Sequence, residues 1–525
     1  MTVGDMLTRN ANKFPKKLAV VSKGRSLDFE TLNKRVNSLS NALLKKGLQK
    51  GDRIGVLVHN CHQFIELYFA AARTGGIFCP YNNHLKAGEL KNIIDYSAPR
   101  FLFLDDDYGG VIKDLKQELS SVDRYISLEK PDWSFMEDYE DYAEGENGEE
   151  PETKISENDV ISMFFTAGTT GKPKGAMKTH QHLISNAVAG VIELTVSYDE
   201  KVLVTFPMYH VAFEDNLVRH SFMPNTFYLK REGGFNPVQV LEYISQERIT
   251  RCQFVPTMIH SLVQVPDVKK YDLSSLRLIL YASAPMPVEL LKRALTIFSC
   301  GFAQMYGQTE SGPIITVLKP EDHILDGSEK KLKRLASSGK PSINYEVRIV
   351  DVNDDDVPVG EVGEIIGRSE AMTIGYWQMP QETAEKLKNG WLHTGDLGKV
   401  DEDGYVYVVE RKNDMIISGG INIYPREIEE VLYKHPAISE VSVIGVPDEH
   451  WGEAVKAVIV LKEGCQAVDT EIIEFCGKFV AGFKKPKTVD FWTELPKSPQ
   501  GKILKREIRR FYEKTSGTLA YSPKQ

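Results

Sequence analysis

Apolar positions along this chain alternate between two rhythms. Leu32, Val36, Leu39 and Leu43 recur at helical spacing, Gly47 can end that helix, and Lys50-Gly51-Asp52 turns the chain into the apolar run Ile54–Val58. The pattern returns with a helical stretch over Gln63–Thr74. Uninterrupted apolar runs then follow at Phe101–Leu104, Ile161–Phe165, Val202–Phe206, Cys252–Val255 and Leu276–Tyr281, several of them separated by helix-like segments. Short, fully apolar strands alternating with helices predict α/β layers with largely parallel sheets.

Past residue 345 the rhythm changes. Val347–Val350, Gly363–Arg368 and Tyr405–Glu410 read as short strands joined by Gly/Asp turns at Asp351–Asp356 and Asp401–Gly404, as in a small antiparallel barrel or meander. Beyond Asp414, Pro425 opens a helix through Leu432 and the strand Val441–Val446 follows. The predicted fold class is α/β: a large N-terminal domain of layered sheets and helices plus a small antiparallel barrel, then a small C-terminal α+β domain. The seam falls near Arg411–Asp414.

Composition narrows the function classes. At 42% hydrophobic and 26% charged residues, the 525-residue chain is an ordinary globular one. Its net charge of −9 is concentrated: residues 129–159 hold thirteen Asp/Glu against two Lys, which reads as a solvated surface loop or insertion. The remainder is near neutral and has no basic patch of the size nucleic acid needs. The six cysteines form no CxxC pair and have no His at zinc spacing, so a reducing, cytoplasmic compartment is expected rather than a disulfide framework. Asp5, Arg9 and Lys13 interrupt any apolar leader core, and no run long enough for a spanning helix occurs.

Five stretches carry candidate chemistry. TAGTTGKPKG (166–175), directly after an apolar run, packs three Gly, three Thr and two Lys into ten residues, the donors a polyphosphate needs. It is not a Walker A loop, because Lys172 is followed by Pro173. YGQTE (306–310) offers an aromatic to stack a base, a hydroxyl for phosphate and one carboxylate for a hard cation; alone it reads equally as a Tyr-Gly turn with a solvated Glu. In HTGDLG (393–398), Asp396 can accept two ribose hydroxyls, or belong to an ordinary turn. ERKNDMIISGG (410–420) and the Lys-rich PKSPQGKILKREI (496–508) complete the set.

In this order the five stretches resemble the adenylate-forming superfamily, and GFAQMYGQTESG with DMIISGG is most similar to its fatty-acid-type CoA ligases. The resemblance spans essentially the whole chain. It implies ATP, Mg²⁺ and coenzyme A as cofactors and a carboxylic acid as the small-molecule partner. It also implies an acyl-AMP intermediate formed with release of pyrophosphate. By resemblance, Thr166, Thr169, Thr170 and Lys174 hold the β- and γ-phosphates, Tyr306 stacks on adenine, Thr309 bonds the α-phosphate and Glu310 binds Mg²⁺. Asp396 and Arg411 hold the ribose, and Lys502 bridges the attacking carboxylate and the α-phosphate. The domains implied are 1–412 for ATP and acyl binding and 413–525 as a mobile unit. Its hinge is near Asn413, and its segment 416–420, with Gly419 and Gly420, is presented to a pantetheine tunnel. Self-association as a homodimer stays open.

Three departures stand out: Ala167 where a Ser is common, Ile421 where a Glu is usual, and Glu410 where Gly or Asp precedes the arginine. By position, His210 gates the acyl pocket, and Phe213, Glu214, Tyr281, Ala282, Met305, Pro313 and Ile314 surround the acid's tail. Long-tunnel relatives have Gly where Met305 stands, so a shortened pocket for a short, medium-chain, branched or compact ring acid is expected; a flexible Met that swings aside would still admit long chains. Glu214 and Asp215 are read as a solvent-facing helix start, with a cationic, betaine-type acid as the alternative. Loading of a carrier protein, and a binding-only relative, are the rival functions.

Overall fold

The structure is a computed structural model describing residues 1–22, 24–167, 173–230, 234–448, 450–498 and 501–515. Two mixed sheets build the large part of the molecule. One has eight strands in the order Gly375–Tyr376, Pro173–Thr179, Val160–Ala167, Ile77–Pro80, Arg53–Leu57, Phe101–Leu104, Arg124–Ser127, Glu137–Asp138. The other has nine and runs from Lys340–Pro341 through Gly312–Leu318, Gly301–Gln308 and Leu278–Tyr281 to Arg25–Asp28 at the far edge. The apolar runs read from sequence form the parallel centres of both sheets. Strands buried on both faces have no polar alternation to show, which is why they read as unbroken hydrophobic runs.

Helix Phe29–Lys45 buries Leu32, Val36, Leu39 and Leu43 against His62–Thr74, the stripe its spacing predicts. Asp28 caps its N-terminus by accepting from Thr31 N at 2.7 Å. Two antiparallel hairpins, Val160–Ala167 with Pro173–Thr179 and Gly301–Gln308 with Gly312–Leu318, interrupt the parallel order. Both hairpins carry motif residues on their strands: Thr166 and Lys174 face each other across the first, and Tyr306 lies on the second.

The acidic stretch is not the solvated loop its charge suggests. It contributes strand Glu137–Asp138 and helix Tyr139–Ala143, and Tyr139 and Tyr142 are fully buried. Its carboxylates meet cations from distant sequence: Arg35 lies 2.8 Å from Glu140 and 2.7 Å from Glu144, and Lys46 lies 2.6 Å from Glu137. A charge run shows nothing of partners that only folding brings near.

Residues 346–411 form the antiparallel barrel-like sheet, with Trp391–Val400 at its centre. The C-terminal sheet pairs Ile438–Asp448 with Gly452–Leu461 and adds Thr488–Phe491 in parallel, flanked by helices Pro425–Leu432, Asp469–Gly477 and Lys505–Thr515. Among the described residues, no helix is long and apolar enough to cross a membrane.

Candidate active site

Three loops converge at one end of the large sheets. Thr166 and Lys174 are cross-strand partners at the tip of their hairpin, while Thr169 and Thr170 lie outside the described residues. The Lys174 ammonium sits 5.2 Å from the centre of the Tyr376 ring. Tyr376 donates its hydroxyl to Glu310 Oε1 at 2.6 Å, and Thr373 N bonds the Glu310 carbonyl at 2.7 Å. Glu310 is thereby oriented through one oxygen. Among the described residues its Oε2 makes no hydrogen bond, so one carboxylate oxygen is available for a hard cation. Thr309 precedes it, half-buried, in the same turn.

A second cluster centres on buried Asp396. Its Oδ2 accepts from the Tyr306 hydroxyl at 2.8 Å and from Gln308 Nε2 at 2.9 Å; Arg411 Nε lies 3.5 Å from Oδ1. Asp396 and Arg411 are register partners on adjacent strands, which explains why residues fifteen positions apart share one spot. Lys386 closes the ring, donating to Gln308 Oε1 at 3.1 Å and to Thr394 O at 3.0 Å, and burial lowers its pKa. Burial and the adjacent Asp396 charge push the Tyr306 hydroxyl well above its ordinary value.

Lys502 arrives from the C-terminal part of the chain. Burial, then the Arg411 charge, draw its pKa down from 10.5 to about 8, opposed by Asp396 and Asp414. His210 caps helix Val211–Phe222, its Nδ1 accepting from Ala212 N at 3.2 Å, so the ring proton sits on Nε2. Burial and the Lys502 charge hold His210 down at about 4, neutral at physiological pH. The Lys502 loop is docked by Thr257, whose hydroxyl donates to Gly501 O at 3.0 Å. Gly501 has φ +82, and a Cβ there would stand 2.5 Å from Thr257 Oγ1, so only glycine permits this approach. Three residues on, Lys505 lies 3.0 Å from Glu429 and 3.4 Å from Glu410, and Glu410 Oε2 also accepts from Arg426 N at 3.1 Å. Arg509 adds a 2.7 Å pair with Asp414. Gly419 and Gly420 form an exposed turn, with Gly419 N bonded to Trp451 O at 2.8 Å; no described hydrogen bond joins them to the Asp396 or Glu310 clusters.

The tail-side residues divide. Ala282, Met305 and Ile314 belong to one buried apolar cluster with Leu194 and Val196, and Pro313 is half-buried beside it. Tyr281 is buried with its hydroxyl 3.0 Å from His323 Nε2. Phe213 sits in the main core, edge-on to Phe64 and Phe227. Glu214 and Asp215 do not face solvent: both are buried, which corrects the expectation of an exposed helix start. Glu214 accepts from Tyr68 at 3.0 Å and lies 4.0 Å from Lys178; Asp215 pairs with Arg219 and accepts from Asn186 at 2.5 Å. Burial raises both carboxyl pKa values and lowers that of Lys178. A dipole argument at a helix start sees only the helix, not the basic side chains packed against it.

Several residues of this constellation were not visible beforehand. Gln308 stood inside YGQTE. Tyr376 and Lys386 flank a stretch, WQMPQETAE, with no phosphate-loop or ligand spacing, Thr257 sits in an apolar run, and Arg219 stands in the mixed stretch EDNLVRHSF.

Known proteins bear on this geometry directly. The model of AMP-binding enzymes matches residues 7–377, and that of the AMP-binding enzyme C-terminal domain matches residues 427–502. A feruloyl-CoA synthase from Amycolatopsis is 35% identical over 97% of this chain and 98% of its own length. The fatty acid–[acyl-carrier-protein] ligase ScoC of Streptomyces coeruleorubidus is 33% identical over 96% and 95%. Among solved structures, the anthranilate CoA ligase AuaEII in complex with anthranoyl-AMP superposes with a TM-score of 0.91 at 26% identity, covering 99% of this chain and 98% of that one. The chain belongs to the AMP-binding, adenylate-forming enzymes and is an AMP-forming acid–CoA ligase that uses ATP, Mg²⁺ and coenzyme A.

Proposed function

We propose that the enzyme activates a short, medium-chain, branched or compact ring acid, and that the residues assembled above carry its two half-reactions. In the first, a substrate carboxylate oxygen attacks the α-phosphorus of ATP and the bond to pyrophosphate breaks. Two anions must meet, so neutralisation and alignment dominate the barrier. The Lys502 ammonium supplies positive charge between carboxylate and α-phosphate. Thr166, Thr169, Thr170 and Lys174 hold the β- and γ-phosphates, Thr309 the α-phosphate, and Tyr306, Asp396 and Arg411 the adenosine. Mg²⁺ supplies charge neutralisation on the phosphates, and Glu310, aimed by Tyr376, is the carboxylate that would hold it. In the second half-reaction the CoA thiol attacks the acyl carbonyl and AMP leaves.

Residues 1–412 and 413–525 are proposed to be the two units, turning about Asn413 between half-reactions. That turn withdraws Lys502 and brings Gly419 and Gly420 toward the thiol path, past the neutral imidazole of His210. The observation that supports this reading is the seat of Gly501 on Thr257, next to a buried Lys502 whose pKa is drawn down to about 8 by burial and the Arg411 charge, and whose own charge acts on His210.

The short-pocket reading is supported by Met305, 2% exposed and packed among Ala282, Ile314 and Leu194 where a longer chain would run. A betaine-type acid is disfavoured because Asp215 and Glu214 already have Arg219 and Lys178. Six free cysteines support a reducing, cytoplasmic setting. The second reading, transfer to a carrier protein, is favoured only by the name of one relative. Pyrophosphate release over acids from acetate to palmitate plus ring acids, with CoA, with a holo-carrier or with neither, tests both. CoA-dependent turnover peaking on short or ring acids is expected. A palmitate peak discards the pocket reading, and carrier-only turnover discards CoA as acceptor.

A further inference from the structure

Arg219 is among the largest fully buried side chains of the protein, although nothing in the two half-reactions uses it. It lies on helix Val211–Phe222, nine residues past His210 and on the face shared by Ala212, Asn216 and Met223. Its Nη1 pairs with Asp215, and its Nη2 donates to Asn216 Oδ1 at 3.0 Å. Asn216 in turn donates to Gln253 Oε1 at 2.5 Å and Ala212 O at 2.8 Å. Gly190 on helix His180–Glu193 makes room for the arginine: a Cβ there would stand 2.7 Å from Arg219 Cδ and 3.0 Å from Ile314 Cδ1.

This polar knot sits directly behind the apolar cluster of Met305, Ala282 and Ile314. Arg219 Nη1 is 4.0 Å from Met305 Sδ, so a thioether on three rotatable bonds is what separates the guanidinium from the acyl cleft. Among the described residues, two buried polar atoms in the knot find no hydrogen-bond partner: Arg219 Nε and Asn186 Oδ1. A buried donor left unpaired is costly, and well-packed apolar residues generally replace a buried ion pair without loss of stability. A site that only had to bury hydrocarbon would need neither.

We infer that Arg219 is a specificity-determining residue that reads a neutral oxygen at the far end of the acid: a hydroxyl or ether on a compact ring or short chain. The inference rests on the proposed reading of Met305 as the floor of the acyl cleft. Charge decides among the alternatives. Asp215 already neutralises the guanidinium, so a second carboxylate would enter as an uncompensated buried anion. A bare methyl or phenyl end leaves Nε unpaired. An oxygen lone pair satisfies it, and the proton of a hydroxyl suits an unpaired acceptor such as Asn186 Oδ1.

The test uses matched acids differing by one distal oxygen: benzoate and 4-hydroxybenzoate, cinnamate and 4-hydroxycinnamate, hexanoate and 6-hydroxyhexanoate. The wild-type enzyme should favour the oxygenated member of at least one pair about tenfold or more in kcat/KM. Removing the arginine alone would strand Asp215, so the main variant is Asp215→Asn with Arg219→Met, in which the ratio should collapse toward one. Arg219→Lys, which keeps the charge but lacks Nε, should also lose the preference and guards against misfolding of the double variant. Turnover of these acids without an oxygen preference overturns the inference while leaving the pocket reading intact, as does a preference that survives both variants. Turnover confined to palmitate overturns both.

Discussion

The proposed nucleotide side and the proposed acyl side of this enzyme are built on different principles. On the nucleotide side, each residue stands in a short stretch whose composition announces its chemistry, and the structure hangs those stretches from hairpins and adjacent strands so that their tips meet. Arg411 is exposed and Lys174 half-buried, while Glu310 and Asp396 lie just below the surface, aimed by partners such as Tyr376 and Gln308. On the acyl side, the surroundings of Met305 come from four separate elements, and its polar members are sealed in the interior. ATP is the same for every such ligase and can be met by fixed loops. The acid's tail must be met by shape, and shape is a property of packed cores.

The largest test of this contrast is Lys502→Ala. ATP–pyrophosphate exchange should fall by roughly 100-fold or more, while thioester formation from supplied acyl-AMP is largely retained. Equal loss in both would break the assignment of Lys502 to one half-reaction. Next, the pH dependence of that exchange should show an alkaline limb. With its pKa at about 8 rather than 10.5, Lys502 is charged below pH 8 and loses its proton above it, so the rate is level below and falls above. A limb that persists in thioester formation from acyl-AMP would point to another group.

Asp396→Ala separates the two regions: KM for ATP should rise about 10- to 100-fold, by the same factor for every acid, because a charge-assisted contact is lost on the nucleotide side only. The converse is Met305→Gly, which should shift the preferred acid length by about tenfold in relative kcat/KM while leaving KM for ATP in place. An unchanged length profile would sink the floor assignment. The smallest effect is expected of Glu410→Ala. Losing its bonds to Arg426 N and Lys505 should slow adenylation a few-fold and spare the thioester step, measured by the two half-reactions separately.

The two rhythms of hydrophobicity predicted the parallel centres of the sheets, the helix over Leu32–Leu43 and the change to antiparallel structure past residue 345. The hairpin nature of the two motif stretches was not legible, because the strands Pro173–Thr179 and Gly312–Leu318 open on Gly, Pro or Lys where a pattern would be read. The acidic stretch was misjudged for a related reason. Its thirteen carboxylates are visible locally, whereas Arg35 and Lys46, which answer Glu140, Glu144 and Glu137, are far away along the chain.

What the sequence by itself determined is therefore the reaction. Phosphate, ribose and metal contacts need particular functional groups, and functional groups are written in residue identity and short spacing. Tertiary structure alone decided which of those groups share a site, that Asp215 faces Arg219 and not solvent, and that a buried guanidinium stands behind Met305. Burial and pairing are sums over neighbours distant in sequence, and a side chain's charge has no meaning for specificity until the fold has chosen what surrounds it.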